Sequence, residues 1–128
     1  MIKSPSERLN TQRGIRYCHG RADIYLQILQ HFVAQYDQPQ HSAALVAERF
    51  AELAALPDED AIRWLHTLKG HSATIGATAL SEQCKTLQAD WQQASQVELA
   101  RQFTALAEAL ALVCGDVKQV IQLSQQQN

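Results

Sequence analysis

The stretch from Trp64 to Ala77, WLHTLKGHSATIGA, decides the fold of this 128-residue chain and carries its candidate site. At about 100° per residue, five side chains converge on one side of a helix, namely Ala61, Leu65, Leu68, Ser72 and Ile75. Asp58, directly after a proline, is a suitable N-cap, and Gly76 suits the left-handed position that follows a helix C-terminus. The stretch therefore predicts an amphipathic helix over about 58–75.

The rest of the chain repeats this pattern, without strand alternation or internal repeats. Apolar spacing predicts further helices at about 21–37, 40–56 and 78–93, and one from about 95 onward. Asp37-Gln38-Pro39 ends the first of them, and the capping box Ser95-Gln96-Val97-Glu98 opens the last. Because short connections favour antiparallel neighbours, we predict an all-α, up-and-down antiparallel bundle with a four-helix core and an additional N-terminal helix.

The predicted domain limits follow from polarity. Residues 1–19 are predicted to be a polar linker or a short helix, residues 20–124 the bundle, and residues 125–128 a frayed tail. The three cysteines, Cys18, Cys84 and Cys114, are odd in number and form no C-x-x-C pair, so we expect buried reduced thiols.

Composition excludes several classes of function. Hydrophobic residues make up 46% of the chain, charged residues make up 19%, and the formal net charge is −2, as in an ordinary globular protein. A chain without a basic cluster is not expected to bind nucleic acid. No apolar run approaches the ~18 residues of a membrane span, and the polar N-terminus lacks a signal peptide. We therefore expect no direct membrane contact and a cytoplasmic location, either alone or as the cytoplasmic part of a membrane-bound protein.

His66 is the first candidate functional residue, because it points roughly 150° away from the centre of the core side of its helix. An exposed imidazole is largely neutral at cytoplasmic pH, and one ring nitrogen then keeps a lone pair that can act as a nucleophile. Lys69, three residues on, leans back over the turn of His66 and would stabilise a phosphoryl group on the ring.

Gly70, four residues after His66, needs a reason, because a glycine inside a helix costs about 1 kcal/mol relative to alanine. Clearance for a partner protein that brings its own reactive group to His66 is a sufficient reason. Ala73 extends this clearance by one turn. Ile62 and Arg63 share the same outer sector, so these three residues are predicted to form the docking surface.

These residues resemble the signature of the histidine-containing phosphotransfer (HPt) domains of bacterial multistep phosphorelays. That signature reads H-x-L-K-G, a small residue, an aliphatic residue before glycine, and then L-x-x-x-C-x-x-L. The chain supplies it in register with His66, Leu68, Lys69, Gly70, Ser72, Ile75, Gly76, Ala77, Leu80, Cys84 and Leu87. The segment GRADIYLQILQHF, residues 20–32, is similar to the first helix of the family.

The resemblance implies a monomeric bundle with His66 as phosphoacceptor and with Lys69 and Gly70 serving the phosphoryl group. The implied partners are receiver domains with a phosphorylatable aspartate, those of a hybrid sensor kinase and its response regulator. The chain shows no carboxylate cluster and no glycine-rich phosphate loop, so we expect no cofactor of its own and Mg²⁺ supplied by the receiver. It has no recognisable ATP-binding segment, so autophosphorylation is not expected.

The chain departs from the family at two positions. His71 replaces a small or apolar residue, and Gln88 replaces a residue that is often acidic. His71 lies five residues after His66 and points about 140° away from it, so we expect a histidine at the edge of the core and not a second acceptor.

Two alternative functions remain open from the sequence. One is a structural or scaffolding bundle in which His66 is incidental. The other is a metal-binding bundle that uses His66 with His71, with Cys18-His19 or with Cys84. The spacing of five between the two histidines does not place them on one helix face, which weighs against a metal site.

Overall fold

The computed structural model describes residues 2–37 and 43–126, and every regular element in those ranges is an α-helix. The six helices are α1 Thr11–Tyr17, α2 Ala22–Tyr36, α3 Ala43–Ala55, α4 Asp58–Ile75, α5 Thr78–Asp90 and α6 Gln96–Gln126. The prediction of an all-α fold is confirmed. The predicted break at Gln38-Pro39 and the predicted start of the next helix near Gln40 lie outside the described residues.

The helix that carries the quoted stretch is α4, and it has the predicted bounds. Its buried side chains are the five that the helical wheel places inward, Ala61, Leu65, Leu68, Ser72 and Ile75. Asp58 differs from its prediction, because it is the first helical residue and Pro57 occupies the N-cap without a side-chain bond. Three acidic side chains in the first turn, at positions 58–60, favour this helix end through the helix dipole.

Gly76 closes α4 in the predicted conformation, with φ +92°. Its N–H donates to the Ala73 carbonyl at 3.1 Å, and the Ala77 N–H donates to the Ser72 carbonyl at 2.8 Å. Helix α5 starts directly afterwards, so the chain reverses and α5 returns along α4. The Ser81 hydroxyl then donates to the Lys69 carbonyl at 3.0 Å.

The four-helix core consists of α2, α4, α5 and α6. Helix α4 packs on α5, α5 on α6, α6 on α2 and α2 on α4, while α3 packs outside this ring against α4 and α6. Each core helix contributes fully buried leucines, for example Leu29, Leu65, Leu87 and Leu106. The Phe50 ring of α3 lies 5.7 Å from Phe103 and thereby anchors α3 on the core.

The polar start of the chain is packed against the bundle. It contains the short helix α1, which contacts α4 and α2. Leu9 is fully buried, and the Asn10 N–H donates to the Gly76 carbonyl at 2.9 Å. The Tyr25 hydroxyl donates to the Ile75 carbonyl at 2.7 Å, and Gly14 lies so close to the Tyr25 ring that a side chain there would clash with it.

A buried charge ties the same segment to α6. Asp116 is only 5% exposed and accepts two hydrogen bonds from the Arg8 guanidinium, at 2.9 and 3.1 Å. The Ser6 hydroxyl donates a third at 2.8 Å. The carboxylate is therefore both paired and hydrogen-bonded, as a buried charge has to be.

The two ends of α6 were predicted with different success. The Glu98 N–H donates to the Ser95 hydroxyl at 3.2 Å, which is half of the predicted capping box, but the Glu98 carboxylate pairs with Arg101. At its other end α6 continues to Gln126, so residues 125 and 126 of the predicted frayed tail are helical. Residues 127–128 lie outside the described residues, and the domain limits stay a prediction.

Candidate functional site

His66 lies near the middle of α4 and is exposed. Its neighbours Leu65 and Leu68 are fully buried, so the helix turns its core face away from the imidazole ring. Among residues 2–37 and 43–126, no side chain or backbone group forms a hydrogen bond or an ion pair with this ring. Both ring nitrogens are therefore open to solvent or to a partner.

Lys69 is half-buried and lies on the side of α4 that faces α5. Its ammonium group makes no ion pair within the part of the chain that the structure describes. Burial raises the pKa of the Cys84 thiol to about 12, and the positive charge of Lys69 partly opposes this shift, so the two groups are near each other. Lys69 is therefore a cation without an ion pair in the described residues, three positions after His66 on α4, and its role toward a phosphoryl group stays a prediction.

Gly70 is exposed, and an added Cβ atom would meet no heavy atom within 4 Å. A side chain at Gly70 would therefore extend into open space, while the role of this space as clearance for a partner at His66 stays a prediction. The Gly70 carbonyl also accepts a hydrogen bond from the Thr74 hydroxyl at 2.9 Å.

The three predicted docking residues lie on the same helix but differ in exposure. Arg63 is exposed, and its guanidinium donates to Asp60 at 3.2 Å within the first turns of α4. Ile62 and Ala73 are half-buried, and Ile62 also packs against the core. The geometry gives a mixed surface of apolar and charged groups around His66, while their role in docking stays a prediction.

His71 also lies on α4, and its ring contacts the core margin. Its Nδ1 atom lies 2.6 Å from the Tyr36 hydroxyl, and the two rings meet edge to face at 5.7 Å. The sequence pattern placed His71 at the edge of the core but did not identify Tyr36 as its partner. These residues are 35 positions apart, and no local pattern relates them.

A metal centre finds no support in the geometry. No group of three or more His, Cys, Asp or Glu side chains that could hold a metal ion occurs in the described ranges. The cysteines Cys18, Cys84 and Cys114 are free and buried, as expected. Burial raises the pKa of Cys114 to about 12, as it does for Cys84, so neither thiol is a ready metal ligand.

One cavity in the described part of the chain, about 480 Å³ in volume, does not contain the candidate site. It lies between α2, α3, α4 and α6, and its walls include Tyr36, Leu53, Trp64 and Phe103. Neither His66 nor Lys69 lines it. The candidate site is therefore an open helix surface, which suits a protein partner better than a small molecule enclosed in a pocket.

Comparison with known proteins adds one finding. A family model described as the Hpt domain matches residues 27–120, which is more than half of the 128-residue chain. The match extends from α2 into α6 and includes His66, Lys69 and Gly70. No curated protein and no solved structure matched the chain.

No helix within the described ranges combines the length and the apolarity needed to cross a membrane.

Proposed function

The chain belongs to the Hpt domain family, and we propose that it is a phosphorelay intermediate that carries the phosphoryl group on His66. The family consists of helical phosphotransfer modules that act on receiver domains in phosphorelays and have no kinase activity of their own. Family membership does not identify the acceptor or the partners. We propose that His66 is the acceptor, that one receiver domain donates the phosphoryl group and that a second receiver domain takes it up.

One observation carries the proposal: His66 is exposed, lacks an intramolecular partner in the described residues, and stands beside open space at Gly70. A receiver has to bring an aspartyl phosphate within bonding distance of the ring, which requires an approach free of side chains. Lys69 supplies positive charge close to the same turn. A histidine that served only packing would need none of these features.

The proposed transfer is an in-line displacement at phosphorus. A neutral His66 nitrogen, Nε2 in our proposal, attacks the aspartyl phosphate, an N–P bond forms and the acyl O–P bond breaks, which leaves the receiver aspartate as a carboxylate. The ammonium group of Lys69 stabilises the charge on the phosphoryl oxygens. The reverse sequence on a second receiver returns His66 to its starting state.

The receiver supplies the rest of the chemistry in this proposal. Most of the charge stabilisation would come from its Mg²⁺ ion, because the described residues offer no carboxylate cluster for a metal. The proposed partners are the receivers of a hybrid sensor kinase and of its response regulator. We propose that the chain acts in the cytoplasm as a monomer.

Label transfer from a phosphorylated receiver tests the proposal. We expect acid-labile, alkali-stable label on the wild-type chain and none on His66→Gln. The matched controls are His71→Gln on the same helix and His31→Gln on the exposed surface of α2, and both should keep the label. Label that survives in His66→Gln but is lost in His71→Gln would show that His71 is the acceptor and would refute the assignment to His66.

The same experiment separates the alternatives. A scaffolding bundle would take no label from any receiver of the same genome, tested as a panel. A metal-binding bundle would also take no label but would bind zinc in a calorimetric titration, with loss of binding in His66→Gln. Either result would overturn the proposed relay function.

A further inference from the structure

Two histidines of α4 differ in what surrounds their rings. His66 has no partner in the described residues, whereas Nδ1 of His71 lies 2.6 Å from the hydroxyl of Tyr36. Both histidines are exposed, so a phosphodonor could reach either one. Exposure alone therefore does not determine which of them accepts a phosphoryl group.

We propose that Tyr36 is a positioning residue that keeps His71 from competing with His66, because its hydroxyl occupies Nδ1 of His71 and fixes the ring proton on Nε2. The inference rests on the proposed function and refines it. The hydroxyl group of Tyr36 on α2 would then determine which of the two exposed histidines of α4, His66 or His71, accepts the phosphoryl group.

The direction of this hydrogen bond follows from the position of the phenol. Tyr36 is 7% exposed, and its ring packs on Phe32 with centroids 4.8 Å apart, so its hydroxyl has a fixed place. Burial raises the pKa of Tyr36 to about 12, which keeps its proton in place. In the described residues, His71 is the only partner of this hydroxyl. If the imidazole were the donor, the phenolic proton would lack an acceptor among the described residues at a part-buried position, which is unfavourable.

The bond leaves neither ring nitrogen of His71 with a lone pair free for reaction. A neutral imidazole that accepts at Nδ1 carries its proton on Nε2, so the outer nitrogen has no lone pair to attack phosphorus. The lone pair of Nδ1 points at the Tyr36 oxygen, which blocks an in-line approach. Phosphorylation of His71 requires this bond to break first, whereas His66 has no such requirement.

A tautomer measurement tests the geometry without any variant. Long-range ¹⁵N–¹H correlation spectra of the wild-type chain at mildly alkaline pH, where imidazoles are neutral, distinguish the two ring nitrogens. We expect His71 to carry its proton on Nε2, with Nδ1 as an acceptor. A ring proton on Nδ1 of His71 would refute the proposal, and this result does not depend on the folding of a variant.

Chemical phosphorylation tests the consequence in a background that lacks the main acceptor. Phosphoramidate transfers its phosphoryl group to imidazole: an N–P bond forms at the ring, the donor P–N bond breaks, and ammonia leaves with the ring proton as ammonium. In His66→Gln, we expect His71 to be labelled about threefold to tenfold more slowly than the exposed His31 of α2. Mass spectrometry of peptides measures both rates in one sample.

Removing the phenolic oxygen should remove this protection. Tyr36→Phe in the His66→Gln background should accelerate labelling of His71 by about threefold to tenfold and leave His31 unchanged. The matched control is Tyr17→Phe, which removes the hydroxyl of a tyrosine that is 55% exposed and should change neither rate. An unchanged rate at His71 in a folded Tyr36→Phe variant would overturn the proposal.

These outcomes are independent of the relay itself. If no receiver labels His66, the proposed function fails, while the tautomer and the reactivity of His71 still report on Tyr36. If His66 is labelled but His71 reacts as fast as His31, the selectivity proposal fails and the relay stands.

Discussion

Replacement of Gly70 should make the protein more stable and the phosphotransfer slower. An added Cβ atom at this position meets no heavy atom within 4 Å, so a side chain brings no clash inside the bundle. Alanine inside a helix is favoured over glycine by about 1 kcal/mol, and glutamine keeps most of this gain. For a chain of 128 residues, this corresponds to a rise in melting temperature of about 3–5 °C.

The effect on transfer should have the opposite sign. The side chain of Gly70→Gln would occupy the space through which a receiver approaches His66. Because a displacement of about 1 Å between reacting groups can cost two orders of magnitude, we expect transfer to slow by about tenfold to a hundredfold. Gly70→Ala, with a single methyl group, should show a smaller loss. Single-turnover transfer from a phosphorylated receiver measures the rate, and urea denaturation measures the free energy of unfolding.

Gly115 provides a matched control, because it also lies inside a helix, α6, and an added Cβ atom there meets no atom within 4 Å. Gly115→Gln should raise stability by a similar amount and leave the transfer rate unchanged. Transfer by Gly70→Gln at the wild-type rate would refute the clearance argument. Equal slowing in both variants would show that the effect is not specific to the site.

Three further predictions concern other parts of the chain. Lys69→Ala should slow transfer by about tenfold, since it removes the cation beside His66, while the free energy of unfolding changes by less than about 1 kcal/mol; a larger change would make Lys69 structural. Gly76→Ala should cost about 2–4 kcal/mol in urea denaturation, because φ is +92° and the new Cβ atom would clash with the Asn10 carbonyl; a loss below 1 kcal/mol would contradict the described turn. Cys84 and Cys114 should resist a thiol reagent in the native chain, since burial raises both pKa values to about 12, and should react after unfolding in denaturant; rapid native reaction would contradict their burial.

Local sequence patterns predicted the parts of the fold that depend on neighbours along the chain. The period of the apolar residues in α4 identified its five buried side chains, and Gly76 marked the end of the helix. Both features could be predicted because each depends only on residues that are close together in the sequence. The exposed position of His66 and the open space at Gly70 followed from the same helix geometry. These features required no knowledge of how the helices pack.

Contacts between distant residues could not be predicted in this way. Asp116 lies 108 positions from Arg8, and its burial has no signature in the apolar spacing of α6. The bond between Tyr36 and His71 and the close approach of Gly14 to Tyr25 depend equally on the packing of separate helices. The polar composition of the chain start predicted a linker or a short helix. Polarity alone does not show that Leu9 is buried or that the Asn10 N–H donates to the Gly76 carbonyl.

The docked N-terminal segment sets a limit on how this protein can be dissected. A fragment trimmed to the matched residues 27–120 would lose Leu9 and Tyr25, both of which are fully buried. It would also leave the carbonyls of Ile75 and Gly76 without the donors that now cap them, at the end of the very helix that carries His66. The smallest unit that retains the contacts at the end of the acceptor helix therefore starts well before the family match, at or before Leu9. A unit that also keeps the hydrogen bond to α6 has to include Ser6.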